Sequence, residues 1–262
     1  MKVLTLAEEN SQTRVQSLLS RIQNIEPKEV SVPVFSGNKI SLRNSSFTFN
    51  LVRDESSSDM PTPATTAGPI DVIIIKAAPI SRSYYEVEFD EANPAKPFCW
   101  SDDTRTGRPS ENVTEQGKQA PNCFECVWNV KGSGKGDSRG CRFHQRIVVM
   151  VCADGGITDP SLYQLQLPAT SVFGDNPQKM SMQAYARHLN THKTPLATVI
   201  TEIYFDKSST IPKLLFKPKR AVTEEEFKLA VAAQQNSETD KILSSSLSTQ
   251  SPFTSVEGFT FS

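Results

Sequence analysis

The sequence predicts a mainly β fold with added helices: a small, twisted antiparallel barrel interrupted by a cysteine-rich segment. Three observations predict it. Short alternating or β-branched stretches recur between positions 28 and 220. Few segments carry helical periodicity. The helices that a parallel nucleotide-binding sheet needs between its strands are missing. The 262-residue chain is long enough for a substantial core, with 37% hydrophobic and 22% charged residues, an ordinary globular composition.

Residues 3–25 are roughly helix-spaced from Val15 through Leu18, Leu19, Ile22 and Ile25, and Pro27 ends the run, so 1–27 is expected to be a helix or arm. "VSVPVF", "KISL" and "FTFNLV" predict two or three strands over 28–53, and the Ser/Thr/Pro-rich 53–69 a flexible loop. "IDVIIIKAAPISRSYYEVEF" is an apolar strand, a break at Pro79, and alternation through Tyr85, Val87 and Phe89. Strand signal resumes in "RIVVMVCA" and "LYQLQLPATSVF". Met182, Tyr185, Ala186 and Leu189 share one helical face. "LATVITEIYFD" and "KLLFKP" form a strand pair, and Thr223 with Glu226 is a capping box opening "EEEFKLAVAAQQ". The core is thus expected over 28–228, with a flexible, weakly acidic tail over 229–262.

The net charge of −1 gives no global case for a polyanion partner, but the charge is uneven. Lys131, Lys135, Arg139, Arg142 and Arg146 face only Asp137 in their stretch, and Lys207, Lys213, Lys217, Lys219 and Arg220 face no acid in theirs. Residues 86–115 and the chain from Thr223 onward are acidic. "MKVLTLAEENSQ" has no sustained apolar core, and no apolar run approaches bilayer length, so no membrane association is expected.

The five cysteines are expected to be reduced. Cys152 lies in an apolar strand and is expected to be plain core. Cys99, Cys123, Cys126 and Cys141 are spaced C-x23-C-x2-C-x14-C among Pro, Gly, Asn and Asp. That pattern predicts a closed, structural zinc module over 97–143, with His144 as a lesser candidate ligand and an iron–sulfur cluster as an alternative use of the same donors. Because the segment is poor in apolar residues, metal binding would fold it. Between the ligands, "WNVKGSGKGDSRGC" sets glycine amides among bases, a composition suited to phosphate, although it is not a P-loop. A solvated glycine loop is the plain alternative. Arg82, Tyr84 and Tyr85, Trp128, and Lys217, Lys219 and Arg220 add bases and aromatic rings of the kind that stack on unpaired nucleobases.

Catalytic patterns are weak. His188 and His192 are four apart but have no third partner, and Asp102, Asp103 and Glu111 lie in a loop. No enzyme activity is expected.

"CWSDD", "CFECVWN" and "GSGKGDSRGC", followed by "LQLPATSV", "PLATVITEIYF" and "LLFKPKRAVTEEE", resemble a group of cysteine-rich bacteriophage proteins over about residues 70–228. The architecture also resembles the zinc-containing single-stranded-DNA-binding proteins of T4-type phages, though those use one histidine and three cysteines. The resemblance implies an OB-like barrel and sequence-nonspecific binding of single-stranded DNA in phage replication or recombination, in the cytoplasm of the infected host cell. It also implies replication proteins as partners through the tail, with self-association as a further property. The competing expectation is a structural or assembly protein holding the same zinc, with Phe253, Phe259 and Phe261 as anchors for a partner.

Overall fold

The computed structural model describes residues 38–43, 45–51, 64–86, 97–109, 120–153 and 156–244. The helix expected over 3–25, "VSVPVF", most of the loop 53–69, Glu111 and the three tail phenylalanines lie outside the described residues. In chain order the elements are β1 (Lys39–Arg43), β2 (Ser46–Asn50), β3 (Ala64–Thr66), β4 (Ile70–Ala77), β5 (Ser81–Tyr84), β6 (Cys99–Ser101), β7 (Arg108–Pro109), β8 (Arg142–Ala153) and β9 (Gly156–Pro168). A single turn α1 (Ala169–Val172), α2 (Met182–Thr191), β10 (Val199–Phe205), β11 (Leu214–Ala221), α3 (Glu224–Gln235) and α4 (Ser237–Ser244) follow. The chain divides into two units, one holding the described residues up to Ile80 and Phe143–Ser244, the other Ser81–Arg142.

The larger unit is a mixed sheet in the order β11-β10-β4-β8-β9-β1-β2-β3. All its neighbours are antiparallel except β1 and β9, where Lys39 pairs with Gln164 in parallel register. The sheet curls into an open half-barrel. Phe47 of β2 and Phe205 of β10 lie far apart in strand order, yet their rings sit 4.7 Å apart. Register shifts between Ile74 and Lys76, Met150 and Cys152, and Ile200 and Thr201 add the local twist that such curling needs. Of the expected OB-like antiparallel barrel the described residues show this half-barrel; among them β3 and β11 end the sheet and do not pair with each other.

The run "VIIIKA" has no alternation because both faces of β4 are covered. Val72 and Ile74 join Ile147, Val149, Tyr163, Leu165 and Leu167 on the inner face of the curl. Ile73 and Ile75 join Val148, Met150 and Leu162 on the outer face, beneath Phe227, Ala230 and Ala233 of α3 and Ile242 of α4. Helix α2 fills the inner face. Ser181 caps it by accepting from the Ala184 amide, and Met182, Tyr185 and Leu189 are buried. The Tyr185 ring stacks on Phe216 at 6.0 Å, and its hydroxyl lies 2.7 Å from Thr201 Oγ1. Among the described residues no helix is long and apolar enough to cross a membrane.

The tail expectation fails over Ser237–Ser244, which forms α4 with Thr239 and Ile242 buried. The Gln164 amide donates to the Ile242 carbonyl, Arg146 Nη1 donates to Ser244 O at 3.0 Å, and Lys76 pairs with Asp240. The loop 53–69 likewise ends in β3, an edge strand whose Thr66 pairs with Phe47.

The capping box of α3 forms as the sequence indicates, and it carries an added charge. Glu226 Oε2 accepts from the Thr223 amide at 2.7 Å, and both carboxylate oxygens accept from the Arg220 fork at 2.8 Å. Burial pushes the Glu226 carboxyl up, but the Arg220 and Thr223 donors pull it further down, leaving it below the usual glutamate range. Its stabilising effect is therefore fully present above the unfolded value of about 4.3 and is lost as pH falls through the folded value. Glu226→Gln is expected to cost about 1–3 kcal/mol at neutral pH. Urea unfolding of both proteins across pH should show that gap shrinking only below about pH 4.

Candidate nucleic-acid interface

The smaller unit is built from three short strands and a long folded loop. β5 pairs with β6, setting Tyr84 opposite Cys99 and Arg82 opposite Ser101, and β6 pairs with β7. Asp103 ties the turn after β6: its Oδ1 accepts from Ser101 Oγ at 2.8 Å and from the Arg105 and Thr106 amides at 2.8 and 2.7 Å. The Thr106 and Arg105 amides, with Ser101, hold this carboxyl well below the usual range. Asp103 is thus occupied in holding a turn. The Cys123 amide then donates to Arg105 O at 2.8 Å, fastening the loop 120–141 to that turn.

Within the loop, Asn122 Oδ1 accepts from the Phe124 and Glu125 amides, and Asn129 Nδ2 donates to Cys123 O at 2.9 Å. A 3-10 turn over Val127–Asn129 puts the Trp128 ring on Tyr84, centroids 4.6 Å apart and nearly parallel. Phe98 meets the other aromatic edge at 6.1 Å. The chain returns when the Cys141 amide donates to Trp128 O at 2.8 Å. Gly140 passes so close to the indole that a Cβ there would lie 2.8 Å from the ring.

This aromatic stack and the side-chain-to-backbone bonds give the unit its shape, and the zinc expectation is corrected. Cys99, Cys123, Cys126 and Cys141 form no disulfide, and all four line one cavity of about 30 Å³ with Trp100, Trp128 and Asn129. Among the described residues, however, no group of three or more His, Cys, Asp or Glu side chains is disposed to hold a metal ion. A structural zinc needs its sulfurs about 2.3 Å from one common point. The cysteine spacing brings three segments to one cavity wall; it does not bring the thiols into a metal-holding arrangement. Burial pushes the Cys141 thiol up to about 11 despite the nearby Arg82 guanidinium. His144 stands in β8 opposite Pro168, in the larger unit. His192 ends α2, its Nδ1 2.8 Å from His188 O, and the two histidines belong to no group of three or more possible metal ligands among the described residues. Cys152 is buried in the larger unit's outer core, its thiol pushed up to about 12 by burial.

The glycine run also differs from expectation. The Gly132 and Gly134 amides both donate to Ser138 O at 3.0 Å, and the Gly140 amide to Ser133 Oγ at 3.0 Å. Gly132 and Gly136 take φ of 86° and 63°, a region that suits glycine. The amides close the loop on itself and leave the exposed side chains of Lys131, Lys135 and Arg139, with Arg142 beyond, as its outward chemistry. Lys131 has one acidic neighbour, Asp137 at 3.4 Å, with both ends open to water, a weak pairing.

The other expected contacts divide. Arg82 and Tyr84 are buried in the smaller unit, and Trp128 is half-buried on Tyr84; Tyr85 is exposed. In the larger unit Lys217 is exposed, whereas Lys219 pairs with Asp71, Arg220 with Glu226, and Arg146 holds α4. Lys213 and Lys179 share Asp206. The second basic run is therefore largely neutralised by partners inside its own unit. Sequence reasoning passed over Phe124, Val127 and Val130, which are 67%, 60% and 59% exposed. The available signal was an aromatic residue between two closely spaced cysteines, where a tight turn points the intervening side chains outward.

No protein-family model matches the chain, and no curated protein or solved structure is found to match it. These comparisons supply no relative on which the likeness to phage proteins could rest.

Proposed function

We propose that the chain binds single-stranded DNA, without sequence preference and without catalysing a reaction on it, through the outer side chains of the loop 120–142. One observation carries this reading. Lys131, Lys135, Arg139 and Arg142 are exposed on a loop whose Gly132, Gly134 and Gly140 amides bond within the loop, and the same loop carries the exposed apolar side chains of Phe124, Val127 and Val130. Bases that track a phosphate backbone, next to apolar groups that meet nucleobases, are what single-strand binders use.

Anisotropy titration of a labelled oligothymidine tests the proposal. Four phosphate contacts on a single strand give a log–log salt slope near −3, so affinity should fall roughly fiftyfold between about 50 and 200 mM salt. Absence of binding, or binding indifferent to salt, would sink it. Equal affinity for duplex of the same length would remove the single-strand part.

A further inference from the structure

Phe124 lies between Cys123 and Cys126, on a turn fixed by Asn122 Oδ1. Its ring is two-thirds exposed, and Val127 and Val130, also exposed, follow it in the same loop just before Lys131. Large apolar side chains so placed cost solubility and contribute nothing to the unit's core, which is the Tyr84–Trp128 stack. Their surroundings select the occupant. The exposed bases Lys131, Lys135 and Arg139 follow in the same loop, and apolar and basic side chains together suit a ligand that alternates flat apolar faces with negative charge.

We infer that Phe124 is the base-stacking anchor of the single-strand site, with Val127 and Val130 as the apolar floor on which the neighbouring nucleotide rests. This rests on the function proposed above and adds to it: the site reads the presence of bases as well as phosphates. Trp128, the aromatic residue that composition favours for stacking, is committed to Tyr84 and cannot serve. The turn is held by backbone and asparagine bonds that do not involve the ring, so Phe124 can be replaced without dismantling it.

The test compares an oligothymidine with an abasic oligomer of equal length and charge, against the full chain, its Phe124→Ala variant and its Phe124→Trp variant. The wild type should bind the base-bearing strand roughly tenfold or more tightly than the abasic one. Phe124→Ala should lose most of that ratio while keeping abasic affinity and salt slope, and Phe124→Trp should restore it. An unchanged thermal midpoint in Phe124→Ala would attribute the loss to the ring itself. If Phe124→Ala keeps the wild-type ratio, the inference is overturned and the function stands. If the wild type binds neither strand, both fall.

Discussion

Replacing Lys131, Lys135 and Arg139 together by alanine is expected to weaken single-strand binding about a hundredfold near 0.1 M salt. Each phosphate contact on a single strand releases about 0.7 of a counterion, so three contacts contribute about two decades at that concentration. The salt slope should fall by about two at the same time. That paired change separates lost electrostatic contacts from a misfolded loop, which would abolish binding at every salt concentration. The loop should survive, since its closure uses Ser133, Ser138 and backbone groups, and the Lys131–Asp137 pair is exposed at both ends. Lys219→Ala is the matched control. That ammonium already lies on Asp71, so its removal should alter affinity less than about twofold. A loss as large as that of the triple variant would move the interface to the larger unit.

The contrast between the two basic runs shows what linear charge counting can see. Both look free in the sequence. Asp71 meets Lys219 only because β10 lies between β11 and β4 in the sheet, a pairing of strands far apart in the chain. Glu226 was legible as a capping residue, six positions from Arg220, but its second use was not. The strands of the half-barrel were legible because β-branched runs such as "VIIIKA" need burial on both faces, and α2 because its apolar face repeats at helical spacing. Helix α4 was hidden: "SETDKILS" is polar, and it forms through docking of Thr239 and Ile242 onto the sheet. β3 was hidden because an edge strand with exposed Ala64 and Thr65 has no pattern beyond its backbone bonds. At the site, the cysteine spacing correctly indicated that distant segments meet. Convergence of donors is a matter of ångströms, and spacing does not encode it.

The largest stability effect is expected at Tyr185, on the inner face of the curl. The residue is fully buried, stacks on Phe216 and shares a hydrogen bond with Thr201, itself fully buried. Tyr185→Phe removes only the hydroxyl and leaves Thr201 Oγ1 without that partner, which should cost about 1–2 kcal/mol. Tyr185→Ala also opens a cavity between α2 and the sheet and should cost about 3–5 kcal/mol. For a unit of this size that corresponds to a thermal midpoint roughly 10 °C lower. The two variants together separate the ring from the hydroxyl, and equal losses would show that packing against Phe216 contributes little. Stability and binding are also expected to separate. Tyr185 lies in the larger unit and the proposed DNA contacts in the smaller. Measured well below its midpoint, Tyr185→Ala should therefore bind oligothymidine as the wild type does. A fall in affinity at a temperature where the variant is fully folded would mean that the half-barrel itself contributes to the site, and the basic loop would then be only part of it.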